Sequence, residues 1–205
     1  MNPGRKQWDS TDKIIIFAAN LQAMDESSYY GIFENNLRDE LIRVCTLALC
    51  LDGNLLRSDD IDQKWKELAP DYMADAMKVI SDYPTVSLAW AGYVGMAIAK
   101  WWDQDWSTFG AWPYAKLLGK RGFDDMDEHI IRDIVGLKLE SEEANKIEEI
   151  LRQCATTAIG FIRHENIEPM SIRAFHIYAR SVKVLYEIGA AIMLKRLGYK
   201  WKSVL

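Results

Sequence analysis

Asp125, His129 and Asp133 stand at four-residue steps in the stretch DDMDEHIIRD, residues 124–133. On a helix that spacing places two carboxylates and an imidazole on one face. Such a set can hold a divalent zinc, manganese or iron ion, so a metal-dependent enzyme built on these three residues is one reading. A plainer account competes with it. Acids in a first helical turn complement the helix dipole, and Ile130, Ile131 and Ile134 claim the buried side, which turns His129 and Asp133 outward.

The second candidate is WWDQDWSTFGAWPY, residues 101–114, which holds half of the chain's eight tryptophans around two aspartates. Trp102, Trp106, Trp112 and Tyr114, with Asp103 and Asp105 at the mouth, could line a cleft for a cationic or partly apolar ligand. The competing expectation is an aromatic plug closing one end of a bundle, with the aspartates accepting from indole N–H groups or capping turns.

Other catalytic patterns are missing from the sequence. His164 and His176 have no Ser, Cys or acid beside them that announces a triad, and there is no HExxH, phosphate-binding glycine loop or paired CxxC. Cys45, Cys50 and Cys154 lack metal-type spacing and fall in apolar helical pattern, where a reduced cysteine acts as a small hydrophobe. Reduced cysteines fit a reducing compartment, and the expected location is cytoplasmic. No cofactor is indicated.

Composition narrows the classes. The 205 residues are 49% hydrophobic and 27% charged, average for a folded globular chain. A net charge of −5 disfavours a nucleic-acid binder, whose affinity rests on basic residues neutralising phosphates. The first 50 residues are no more basic than the rest and show no compact tri-helix with a glycine turn. The longest apolar run, residues 86–99, is below the roughly 17–25 residues needed to cross a bilayer.

The elements that must position these residues read as helices throughout, because apolar residues recur by threes and fours and strict alternation never persists. Ser10 opens a helix to about residue 24, with Ile14, Phe17, Leu21 and Met24 on one stripe, and Ser27 or Ser28 opens a second that Gly53 stops. Ser58 starts a short helix ended by Pro70, and another covers residues 72–82. A central helix over about residues 85–102 carries Ala89, Ala91, Gly92, Gly95, Ala97 and Ala99, small enough to let a neighbouring backbone close in.

Beyond the tryptophan tract come a short helix after Pro113, one from Asp124 or Asp125 to Val135, and an amphipathic one capped by Ser141. A long last helix reaches Leu197, where Lys195, Arg196, Lys200 and Lys202 crowd the end. The expected architecture is one all-α domain of eight or nine helices over residues 1–205, with 1–9 and 199–205 as loose arms. Three functions are compatible with it. The favoured one is a non-enzymatic helical protein acting through contact with a partner protein or with itself. The others are a small-ligand binder using the tryptophan tract and the metal-dependent enzyme.

Overall fold

A computed structural model describes the backbone of residues 10–200 and the side chains of residues 26–200. The Ile14, Phe17, Leu21 and Met24 stripe and the arms 1–9 and 201–205 lie outside what it describes. The described chain is all helical with no strand, and it contains six α-helices: α1 Ser10–Leu47, α2 Asp59–Val79, α3 Pro84–Phe109, α4 Met126–His129, α5 Glu142–His164 and α6 Ile172–Arg196.

The sequence predicts eight or nine helices; two of the predicted breaks are bridged, and the helix predicted after Pro113 is only a 3-10 turn, Tyr114–Lys116. Ser27 and Ser28 sit inside α1. Serine lowers helix propensity by only a fraction of a kcal/mol, and no glycine or proline accompanies it. Pro70 sits inside α2. Proline removes one N–H from the ladder, but Pro70 and Lys66 are both exposed, so water can serve the carbonyl that loses its donor.

The central helix is α3. Every residue from Ser87 to Ala99 is buried except Trp90. Its most extensive partner is α6, which is itself buried over most of Ile177–Leu194, so the core is a pair of central helices rather than one. Glycines at the crossing make this possible: a methyl group on Gly189 would lie 2.6 Å from the Gly92 carbonyl carbon, and one on Gly95 would lie 2.8 Å from the Ala190 nitrogen. Helices α1, α2 and α5 surround the pair, with α1 on α5 and α6, α2 on α3 and α6, and α5 chiefly on α3.

The predicted cap at Ser141 is present, and of Pro169 and Ser171, the two possible starts of the last helix, Ser171 is the cap. The Ser141 hydroxyl accepts from Ala144 N at 3.3 Å and the Ser171 hydroxyl from Ala174 N at 3.1 Å. Replacing either serine by alanine is expected to lower stability by about 1 kcal/mol, read as a shift in the urea midpoint at unchanged slope.

Helix α4 runs directly into a wide π-turn, Ile130–Val135, which closes at Gly136 in the left-handed region with φ 82°. The segment expected as one regular helix from Asp124 is therefore a 3-10 turn, a single α turn and a π-turn in series. No helix among the described residues is long and apolar enough to cross a membrane.

Candidate functional site

The tryptophan tract forms a joint. Trp101 is buried and stacks on Phe109 at 6.1 Å, while Trp112 meets Trp101 and Phe109 edge-on at 5.2 and 4.6 Å. The half-buried Trp102 donates from its indole nitrogen to Asp60 of α2 at 3.0 Å and packs on Tyr199. Trp106 folds under Gly110, and Tyr114 is buried edge-on to Tyr72.

The two aspartates are occupied as well. Asp103 accepts from the Tyr199 hydroxyl at 3.1 Å. Asp105 lies where α3 breaks, at φ −165° and ψ 88°, and accepts from Ser107 and Thr108. Those bonds hold its carboxyl below the usual range. Asp105 thus caps the turn after the kink, and Asp103 ties Tyr199 to the bundle.

The structure does not bring Asp125, His129 and Asp133 together as a metal set; among the described residues no three His, Cys, Asp or Glu side chains are placed to hold an ion. His129 uses both ring nitrogens, one on Asp133 at 2.8 Å and one on the Lys116 carbonyl at 3.2 Å. Asp133 also forks onto Arg132, and Arg132 with His129 holds its carboxyl far below the ordinary carboxylate value. Asp125 turns away to the Gly119–Gly122 loop and accepts from Arg121 N at 3.0 Å. It crowds Gly119, where a methyl group would meet its carboxylate.

No protein-family model, curated protein or solved structure matches this chain. Its chemistry is read from its own residues.

Three features that sequence reasoning missed stand out. The first is a charged junction between α1, α2 and α6. Glu34, buried in α1, accepts from Arg38, Arg180 and Lys183. Burial opposes its ionisation, but Lys183 with Arg38 and Arg180 outweighs that and holds the carboxyl at about 2. Glu187, equally buried in α6, accepts from Arg38 Nε at 2.9 Å. Its other oxygen makes no hydrogen bond and lies 3.3 Å from Lys183 and 3.7 Å from Arg57. Arg57, Lys183 and Glu187 of this junction line a cleft of about 750 Å³ beside Trp65, which stacks on Tyr186 at 4.6 Å. Its only trace in the sequence is Glu187 standing inside the apolar run of the last helix.

The second feature is an apolar end. Between α5 and α6 the turn residue Met170 is 94% exposed, Ile172 is 78% exposed and Phe175 is 46% exposed. Beside them runs a groove of about 310 Å³ lined by Ile80, Pro84, Leu88, Ile159, Ile162 and Met170 itself. The third is an acidic groove beside Tyr93, formed by α3, α4 and α5.

Proposed function

We propose that the protein is a non-enzymatic binding protein of the cytoplasm that works through protein–protein contact, and that one of its partners is a second copy of itself. The observation that carries this is the turn at Met170. A residue other than glycine in the left-handed region is strained by about 1 kcal/mol or more, and Met170 adopts φ 64° there. Pro169 restricts the turn before it, and Ser171 caps α6 after it. The turn therefore holds a large apolar side chain outward instead of letting it collapse onto the groove.

Exposed apolar clusters of this kind mark interaction surfaces. The ridge of Met170, Ile172 and Phe175 lies beside the groove on one surface, which makes that surface self-complementary. A two-fold arrangement lets each ridge cover the groove of the other copy. Met170 is unbranched and polarisable, suited to filling an irregular cavity.

Sedimentation across a concentration series is expected to show twice the 23.6 kDa chain mass at the upper end. Met170→Asp with Phe175→Asp is expected to weaken that association at least about tenfold, because it forces two charges into a desolvated contact. Both sites are exposed, so the melting temperature of the monomer stays within about 2 °C. A chain that remains monomeric at its solubility limit removes self-association from this reading.

A further inference from the structure

The groove at Tyr93 collects acid without base. Asp127 and Glu128 of α4, Glu148 of α5 and Glu140 from the turn before it line a cavity of about 520 Å³ that no cation enters. Among the described residues Asp127, Glu140 and Glu148 have no ion-pair partner, and Glu128 has only Arg121 at 3.6 Å. Arg152, on the adjoining stretch past Trp90, is paired with Glu149. Burial raises the Asp127 carboxyl above its ordinary value, and the Glu128 and Glu148 charges add to it.

Tyr93 supplies the independent observation. It is only 4% exposed, and it lines the groove along both stretches. Three other buried phenols donate to the backbone, Tyr72 and Tyr178 to the Ser87 carbonyl and Tyr186 to the Ile61 carbonyl, while the Tyr114 hydroxyl is sealed in the core without a partner. The Tyr93 hydroxyl has no hydrogen-bond partner among the described residues. Buried polar groups are paired as a rule, by protein, water or ligand. The Tyr93 ring is enclosed but its hydroxyl is not sealed: it opens into the groove lined by the four carboxylates, where a ligand group can pair with it.

We propose that this groove is the socket for an arginine side chain presented by a basic partner protein. Ile131, Leu139 and Ala144 line one side and suit a methylene stem. Ionised carboxylates only accept, and a guanidinium offers five donors in a plane, so one cation can bridge several acids and the Tyr93 oxygen. A metal ion fits less well, because no three of these oxygen donors converge on one point. A spread of acceptors matches a delocalised cation, not a compact one. The socket shares no lining residue with the groove at Met170 and does not depend on self-association.

The test is calorimetry and amide chemical-shift mapping with tetra-arginine and tetra-lysine peptides on the full chain. Tetra-arginine is expected to bind more tightly, with the largest shifts around Tyr93, Asp127 and Glu148. Asp127→Asn with Glu148→Gln is expected to reduce affinity at least about tenfold. Tyr93→Phe is expected to reduce it about three- to tenfold while leaving the melting temperature unchanged or raised, because the lost hydroxyl has no internal partner. The Met170→Asp, Phe175→Asp variant is expected to bind the peptide normally, so failure of the dimer and failure of the socket are told apart.

Several results overturn the inference. Equal affinity for tetra-lysine means diffuse charge attraction, and shifts elsewhere mean another site. Displacement of the peptide by manganese at equal concentration reassigns the groove to a metal. Free arginine amide binding as tightly as the peptide replaces the protein partner by a small molecule.

Discussion

Gly189→Ala is expected to lower stability by about 3 kcal/mol, at the upper end of overpacking losses in cores, and the melting temperature by about 10 °C. The usual effect of this substitution inside a helix has the opposite sign, because alanine loses less backbone entropy than glycine by about 0.5–1 kcal/mol. Packing reverses it here. The added methyl would lie 2.6 Å from the Gly92 carbonyl carbon and closer still to its oxygen. The obstacle is backbone within α3, so no side chain can rotate away, and the two central helices must separate. Gly95→Ala meets the backbone of Tyr186 and Ala190 from the other side and is expected to behave alike.

Gly31 and Gly160, also inside helices, have nothing within 4 Å of such a methyl group. Alanine at those positions is expected to stabilise by about 0.5–1 kcal/mol. Four urea titrations decide the matter. If Gly189→Ala is neutral or stabilising, the close approach of α3 and α6 is wrong. If all four glycines respond alike, propensity rather than packing governs this chain.

The same crossing shows how far the sequence could be read. The small residues of α3 announced that a backbone comes close, because their periodicity lies within one helix. The identity of that backbone was illegible, since Gly189 is a lone glycine in a stripe of large residues and acquires meaning only opposite Gly92. Caps were legible at Ser141 and Ser171, where an acid or apolar run follows at once. They misled at Ser27, where the same residue type lies inside a helix whose flanks carry it through. The tryptophan tract was legible as an aromatic cluster, but the partners of its polar atoms, Asp60 and Tyr199, come from distant segments.

Tyr93 falls within the small-residue run of the central helix, a place where burial of an aromatic ring is the plain expectation. Its unpaired hydroxyl is not part of that expectation. Asp127 falls among acids that complement a first helical turn, and nothing in the sequence singles out Glu140 or Glu148. Only the π-turn after α4 and the packing of α5 bring them around that phenol. Met170 is a related case. A methionine after a proline gives no sign of a positive φ, so sequence alone does not show that its side chain is held outward.

Glu34→Ala is the second large effect, with an expected loss of about 2–3 kcal/mol at neutral pH. Removing one member of a buried ion pair strands the other and typically costs about 3–5 kcal/mol. The lower figure applies because Arg180 and Lys183 keep 33% and 38% of their side-chain surface in water and can rehydrate. Arg38 is shared with Glu187 and keeps one acid in either single variant, so the double variant with Glu187→Ala, which strands it, exceeds the sum of the single losses. The acid limb of the stability curve carries the signature. The Glu34 carboxyl sits at about 2 against an ordinary 4.5. Between those values the unfolded chain binds the proton and the folded chain does not, so stability rises with pH there. The contribution is complete above about 4.5 and is lost as pH falls through 4.5 towards 2. In Glu34→Ala that slope is expected to flatten, and an unchanged slope would show that the carboxyl is not held by its three cations. The junction ties α1 to α6, whereas α3 meets α6 through apolar and glycine contacts. Amide exchange in the variant should therefore accelerate first along α1, with the α3–α6 pair retaining its protection.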